Sequence, residues 1–175
     1  LVLRKIKRIA REHGAISLGG YAARKWEHTR YAEPFMREDL NDYGILIDTL
    51  EAGVTWDKLH RLHEGVRAFV KSRPDTMCMT HASHFYPQGT NLYFIFIARM
   101  NVEEYVTFQS GIINQIIKYG GTLSHHHGVG RMLGPWVEDH LGQEQMAVLR
   151  ALKRHFDPHN IMNPGGQLGL DTVYT

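Results

Sequence analysis

The segment from Leu92 to Ala98 is the feature that most restricts how this chain can fold, since its sequence, LYFIFIA, is apolar on both faces of an extended chain. Successive side chains of a strand point to opposite sides, so such a run belongs in the interior of a sheet. Turn-forming residues at 87–90 precede it, and a strand-like segment from Met77 to Tyr86 precedes the turn. The sequence therefore predicts a hairpin whose second strand is central.

Two long amphipathic helices are predicted beside these strands. Apolar residues recur at helical spacing from Trp56 to Ser72, and Thr55 precedes them in the position of an N-cap. A second helix is predicted from Val102 to Tyr119, where a glycine pair provides the C-cap.

Two further strands complete the predicted sheet. Apolar residues alternate from Tyr43 to Glu51, which predicts the first strand, and residues 122–124 are predicted as a short last strand. The resulting order, β-α-β-β-α-β, is typical of the ferredoxin-like fold. We therefore predict an α+β fold, in which an antiparallel sheet carries helices on one face and further helices flank the core.

The chain is predicted to have three parts. A helical lead-in occupies residues 1–42, the ferredoxin-like core occupies 43–124, and the remainder, 125–175, holds a histidine-rich loop, a helix from about Gln143 to Phe156 and an irregular tail. The chain begins without methionine, directly in a helical pattern. We expect it to be a piece of a longer protein or a processed subunit.

Charge and cysteine content exclude several classes of protein. The chain has 20 Lys and Arg against 18 Asp and Glu, so its formal net charge is +2, and no basic block indicates nucleic-acid binding. Cys78 is the only cysteine, which excludes an intramolecular disulfide or a zinc-cysteine cluster and favours a reducing, cytoplasmic compartment. No apolar run approaches the roughly 20 residues that span a bilayer.

Three consecutive histidines, His125, His126 and His127, lie in the sequence SHHHGVGR at 124–131. Imidazole titrates near neutral pH and both donates and accepts hydrogen bonds, and glycine lets a backbone approach a ligand closely. The run therefore predicts a reaction site. In an extended run, His126 points away from its two neighbours, so we expect at most two of the three to face one substrate. For the same reason we expect no metal site here.

Three other residues are candidates for chemistry. The predicted hairpin brings His84 and Tyr93 to the same end of the sheet, and a phenol within an apolar strand needs a partner for its hydroxyl. A structural role for Tyr93 in the core is an equally good interpretation. Arg37 has a forked guanidinium suited to carboxylate or phosphate, although most arginines are simply solvated.

Two motifs resemble the C-terminal part of FAD-linked oxidases of the vanillyl-alcohol oxidase type. One is GGTLSHHHGVG at 120–130, and the other is FDPHNIMNPG at 156–165. Their joint occurrence at this separation is specific, and the resemblance covers Ser83 to Leu168. The earlier part of the chain resembles the family more weakly, through Arg37 and the start of the helix at Trp56.

Two branches of that superfamily are alternatives. The 2-hydroxyacid dehydrogenases, for D-lactate or glycolate, bind a metal through HxxGDGNxH and GEHG-type motifs. Here the segment from His84 to Tyr93 is longer, Tyr93 replaces the second histidine, and His126 replaces the glutamate. The alkylglycerone-phosphate synthase branch of ether-lipid synthesis has SHHHGVGK after an IYF segment, and this chain matches both apart from Leu92 and Arg131.

The resemblance implies a division of labour between this chain and a flavin-binding domain. FAD is held mainly by that domain, upstream or in trans, while this chain supplies the cap on the substrate side and does not turn over alone. The substrate is a small or lipid-like molecule with a phosphate or carboxylate. The full protein is then an FAD-dependent oxidase or transferase, and a peripheral membrane contact and a homodimer stay open. A non-catalytic binding or assembly module is the alternative from another class.

The same resemblance assigns roles by position. It implies catalytic roles for Tyr93, His125, His126 and His127, substrate binding by Arg37, His84, Asn91 and Arg131, and contact with the cofactor by Asn163.

Overall fold

The computed structural model describes residues 1–31, 35–166, 168 and 170, and it divides into two compact units, Leu1–Asp42 and Tyr43–Thr175. The described part of the first unit holds the helices α1 (Val2–Glu12), α2 (Tyr21–Thr29) and α3 (Phe35–Asn41). In the part of the chain that the structure describes, no helix has both the length and the apolar content required to cross a bilayer.

The second unit contains the sheet and the remaining helices. Its elements in chain order are β1 (Ile45–Thr55), α4 (Leu59–Ser72), β2 (Thr76–Ser83), β3 (Gly89–Arg99), α5 (Val102–Lys118), α6 (Gly130–Leu133), a 3₁₀ turn (Gly134–Trp136), α7 (Val137–Leu141) and α8 (Gln143–Phe156).

The sheet has the strand order β1-β3-β2, and both pairs are antiparallel. The predicted α+β class and the predicted central position of the third strand are therefore confirmed. Leu50 and Thr80 both pair with Phe94, so these three side chains share one face of the sheet. Helices α4 and α5 pack on that face, where Leu62, Phe94 and Ile112 are fully buried.

The short last strand predicted at 122–124 does not form, because its backbone pairing stops after one hydrogen bond. Thr122 N–H donates to the carbonyl of Gly53 at 2.9 Å, but Gly53 N–H donates to the side-chain Oγ1 of Thr122, also at 2.9 Å. The contact lies beside β1, where the ferredoxin-like plan places its fourth strand. A side-chain acceptor thus replaces the backbone acceptor that would have extended the sheet.

The turn before Thr122 follows from the glycine pair that was expected to close α5. Gly120 has a φ of +77°, Gly120 N–H donates to Ile117 and Gly121 N–H donates to Ile116. This is the Schellman pattern of helix termination, which glycine permits because its φ can be positive. It reverses the chain and directs the histidine run back across the end of β1.

The start of α4 differs from the sequence-based expectation. The helix begins at Leu59 with Lys58 at its N-cap, while Thr55 is the last residue of β1. The indole Nε1 of Trp56 donates to the carbonyls of Tyr86 and Pro87, each at 3.1 Å. Trp56 is therefore held against the hairpin rather than in the helix, because its ring N–H finds acceptors there.

Candidate active site

The face of the sheet opposite to α4 and α5 carries a row of polar side chains. Glu51 pairs with Tyr93, and Tyr93 pairs with His81, so these residues lie side by side across the three strands. Asn91 pairs with Ser83 and follows the same face one step along β3. The row is the floor of the candidate site.

The histidine run lies over this floor and is held by one carboxylate. Oε1 of Glu51 accepts hydrogen bonds from the backbone N–H groups of three consecutive residues, His125 at 2.8 Å, His126 at 2.7 Å and His127 at 2.7 Å. It also accepts one from the hydroxyl of Ser124 at 2.8 Å. Successive amides that converge in this way form an anion-binding nest, and here the anion is a side chain of the chain itself.

The second oxygen of Glu51 faces two side chains. Oε2 accepts from the amide Nδ2 of Asn91 at 2.9 Å and lies 2.9 Å from Nδ1 of His126. Burial raises the pKa of Glu51, but the hydrogen bonds from the amides of the histidine run and from Asn91 outweigh it and hold that pKa well below its usual range. Glu51 is therefore ionised, although it is buried and only 4% of the residue is exposed.

Convergence of the amides bends the run, so the expectation for an extended run is wrong. The rings of His126 and His127 lie 5.8 and 5.7 Å from the ring of Tyr93. The ring of His125 lies 5.1 Å from that of His84, which in turn lies 4.8 Å from that of His126. All three imidazoles of the run thus belong to one cluster rather than facing opposite sides.

Two phenols approach this cluster. The hydroxyl of Tyr93 lies 3.4 Å from Nε2 of His126, and the hydroxyl of Tyr86 lies 3.1 Å from Nε2 of His125. The imidazoles are exposed, whereas Tyr93 is half-buried. Groups able to donate or accept a proton therefore lie at the surface of the site, above a buried negative charge.

The backbone at His84 is strained. Its φ is +54°, a region that few residues other than glycine occupy and that histidine enters more often than most. Such strain persists where surrounding contacts impose it, and it is common at functional sites. Here it accompanies the placement of the imidazole against the rings of His125 and His126.

Sequence reasoning missed Glu51 and Tyr86 as members of the site. Glu51 had one signal, since it is an acidic residue in a strand whose neighbours, Leu50 and Ala52, are apolar. Tyr86 ends the first segment of the predicted hairpin and gave no comparable signal.

The other candidates fall in several places. Asn91 is fully buried under the cluster, where it contacts Glu51. Arg131 donates to the carbonyl of Pro164 at 3.0 Å, and Asn163, with a φ of +48°, lies in the turn that its carbonyl closes with Gly166. Arg37 lies in α3 of the first unit. The substrate and cofactor roles assigned to these residues stay predictions.

One group of side chains among the described residues has the spacing of a metal site. Ligand atoms of Glu51, His126 and His127 lie within 4.8 Å of one another. However, both oxygens of Glu51 already accept hydrogen bonds at 2.7 to 2.9 Å, so a cation would have to displace donors from a satisfied anion. The donor set therefore favours a hydrogen-bonded cluster.

An apolar cavity of about 250 Å³ adjoins the histidine run. His127 and Glu51 belong to its lining together with apolar side chains from α5, from the loop and from α6, including Ile113, Ile116, Leu123, Val129, Met132 and Leu133.

The chain matches a known family. The family model described as FAD linked oxidases, C-terminal domain, matches residues 2–166, and the chain therefore belongs to this family. The resemblance inferred from the two motifs is confirmed. FAD is the cofactor of these enzymes, and their N-terminal domain provides most of the FAD-binding site.

Individual relatives agree with the family. Alkyldihydroxyacetonephosphate synthase of Dictyostelium discoideum is 34% identical over 165 residues, which are 89% of this chain and 27% of that protein. A solved structure of alkyldihydroxyacetonephosphate synthase superposes with a TM-score of 0.60 at 26% identity, and the match covers 92% of this chain and 27% of that one. Glycolate oxidase subunit GlcD of Bacillus subtilis is 43% identical over 60 residues, 34% of this chain and 13% of that protein.

The chain spans about a quarter of the length of the synthases that it matches. The family description places a domain of this kind at the C-terminus of FAD linked oxidases.

Proposed function

We propose that this chain is the substrate side of an FAD-dependent enzyme that exchanges a fatty acyl ester for a fatty alkyl ether on dihydroxyacetone phosphate. The observation that carries the proposal is the contact between the hydroxyl of Tyr93 and Nε2 of His126 at 3.4 Å, above the anion of Glu51. The similarity to alkyldihydroxyacetonephosphate synthases over 89% of the chain supports the choice of reaction.

The residues of the cluster suit acid–base chemistry. Bound FAD supplies the electrophilic and redox-active ring, and the protein supplies orientation and proton transfer. A phenol hydrogen-bonded to imidazole can give a proton to a substrate oxygen and recover it through the ring. In the proposed exchange a carboxylic acid leaves and an alcohol enters, so one group must donate a proton and another must accept one. Tyr93 and His126 can alternate in these roles.

The proposed substrate has two parts that the site can bind. A fatty chain suits the apolar cavity that His127 helps to line. The phosphate suits cationic donors, and the family resemblance assigns this role to Arg37, with His84 and Arg131 as further donors. The amide of Asn91, which the family resemblance also assigns to substrate binding, is buried against Glu51 and would act on the substrate through that carboxylate.

The proposal includes a flavin-binding domain as partner. The open face of the sheet presents flat rings from Tyr93 and the histidine run, a surface suited to lie against a planar ring system. Asn163 is the residue proposed to reach the cofactor. Cytoplasmic location, peripheral membrane contact and a homodimer belong to the same proposal and need their own measurements.

The deciding experiment compares two reactions of the FAD-loaded holoenzyme. One arm supplies acyl-dihydroxyacetone phosphate with isotope-labelled hexadecanol and detects the labelled ether by mass spectrometry. The other arm supplies glycolate or D-lactate with an artificial electron acceptor and follows its reduction. We expect ether formation without hydroxyacid-dependent reduction of the acceptor.

A 2-hydroxyacid dehydrogenase is the second candidate function. The 43% identity to the glycolate oxidase subunit over 60 residues favours it locally. Reduction of the acceptor by a hydroxyacid, without ether formation, would establish this candidate instead. A protein that binds no flavin and forms a stable complex with a colourless partner would support the non-catalytic module.

A further inference from the structure

We propose that Glu51 is the positioning residue of this site: it bends the histidine run and fixes His126 as the tautomer that carries its proton on Nδ1. The inference rests on the proposed function for its kinetic consequence only. Its structural part concerns the chain alone and is tested without substrate.

The bend of the run depends on a single oxygen atom. Four donors converge on Oε1 of Glu51, namely the hydroxyl of Ser124 and the N–H groups of His125, His126 and His127, at 2.7 to 2.8 Å. The partners lie 73 to 76 positions away from Glu51 in the sequence. The backbone of the run can satisfy these donors at one point only if it curls around that oxygen.

The tautomer of His126 follows from the second oxygen. An unprotonated Nδ1 of His126 would place its lone pair 2.9 Å from the anionic Oε2 of Glu51, which repels it, whereas a proton on Nδ1 is attracted to that charge. Nδ1 of His125 also lies 3.0 Å from the same nitrogen, but the carboxylate is the stronger acceptor. In the neutral ring Nε2 then has a free lone pair, and it is this atom that faces the hydroxyl of Tyr93.

Asn91 keeps Glu51 in this role. Its Nδ2 donates to Oε2 of Glu51, and the side chain is fully buried. Among the residues that the structure describes, none donates a hydrogen bond to the buried Oδ1 of Asn91. The side-chain amide of Asn91 thus donates to the anion while its own oxygen receives no hydrogen bond. This arrangement indicates that the side chain serves to stabilise the negative charge of Glu51.

The direct test is ¹⁵N NMR of the histidine side chains in the 175-residue chain. We expect the neutral form of His126 to show a protonated Nδ1 and an unprotonated Nε2, and the nitrogen shifts distinguish this pattern from the opposite tautomer. A proton on Nε2 would overturn the inference, whatever the reaction of the full protein.

A set of variants separates charge from shape. Glu51→Gln presents an amide donor or a neutral acceptor, so we expect loss of the Nδ1–H form, and Glu51→Asp retains the charge and should keep that form. Glu64→Gln makes the same change on the exposed surface of α4 and should leave the tautomer unchanged. Equal tautomer populations in the Glu51→Gln and Glu51→Asp variants would contradict the inference; if Glu51→Gln does not fold, the wild-type spectrum decides alone.

The kinetic test uses the FAD-loaded holoenzyme. We expect Glu51→Gln to lower kcat about 100-fold or more with little change in KM, because an orienting carboxylate acts on the proton transfer rather than on binding. Glu51→Asp should recover a large part of kcat. Unchanged kcat in Glu51→Gln overturns the positioning role, whereas unchanged kcat in Tyr93→Phe would overturn the proposed proton transfer and leave the tautomer result intact.

Discussion

The hydroxyl of Tyr93 lies 3.4 Å from Nε2 of His126, although Tyr93 comes from the central strand and His126 from the loop after α5. The two residues meet because Glu51, the partner of Tyr93 across the sheet, binds the backbone of the loop. A buried charge in a neighbouring strand thus brings a phenol and an imidazole together.

Removal of the Tyr93 hydroxyl is the first prediction. In the FAD-loaded holoenzyme, Tyr93→Phe keeps the ring and should lower kcat about 100-fold or more with little change in KM, since general acid–base groups contribute this much. Steady-state kinetics check the effect. Tyr43→Phe makes the same change at a residue that is 69% exposed and should retain full turnover. A Tyr93→Phe enzyme with wild-type kcat would exclude the hydroxyl from the reaction.

The second prediction concerns stability and pH. Because the folded pKa of Glu51 is depressed, its contribution to the free energy of unfolding is fully present above the unfolded pKa of about 4.3 and is lost as the pH falls from there toward the folded value. Urea titrations from about pH 3 to about pH 7, which cover the upper part of that loss, should therefore show a shallower acid dependence in Glu51→Gln than in the wild type.

The matched control for this experiment is Glu64→Gln, on the exposed side of α4. It should keep the acid dependence of the wild type. Identical curves for Glu51→Gln and the wild type would show that the carboxylate gains nothing from the amides around it.

The third prediction concerns Asn91→Asp. Its free energy of unfolding should depend on pH with a sign opposite to that of the Glu51 contribution described above. Two carboxylates would then be buried side by side, which raises the pKa of the pair and costs about 3 kcal/mol of unfolding free energy at neutral pH. Part of that loss should be recovered as the pH falls and one carboxyl becomes protonated. Denaturation at about pH 7 and about pH 5 measures both effects.

Asn114→Asp is the control for that change. Asn114 is exposed and its Oδ1 accepts from the indole of Trp136, an acceptor that aspartate retains. Its stability should change by less than about 0.5 kcal/mol. Equal losses for the two variants would remove the argument that Asn91 faces a charge.

Gly89→Ala is the fourth prediction, because β3 approaches β1 too closely there for a side chain. A Cβ at this position would lie 2.1 Å from the carbonyl oxygen of Val54, a backbone atom that cannot move aside. We expect a loss of about 1 to 3 kcal/mol, measured by thermal or urea denaturation. Gly20→Ala meets only the mobile end of Arg24 and should be nearly neutral. A fully stable Gly89→Ala protein would show that the strands can separate at this point.

Local patterns in the sequence predicted most of the elements. The spacing of apolar residues that distinguishes a strand from a helix depends only on residues close together in the sequence. The central strand and the helix at Gln143–Phe156 were therefore predicted closely. The missing fourth strand depends on one threonine hydroxyl that occupies a backbone partner's place, a detail that no period reveals.

The histidine run itself was visible in the sequence, but its shape was not. Its bend arises from hydrogen bonds to Glu51 across 74 positions of the chain or more, and such pairing needs the folded sheet to exist first. Tyr86 reaches His125 for the same kind of reason, since the two residues lie 39 positions apart in the sequence.

The most direct test of the account is a double-mutant cycle on Tyr93 and His126 in the FAD-loaded holoenzyme, with kcat/KM for ether formation as the readout. Groups that transfer one proton as a unit show strongly non-additive losses. We predict that Tyr93→Phe with His126→Ala is about as slow as the slower single variant. Losses that multiply would contradict the account, since they would mean that the phenol and the imidazole act independently.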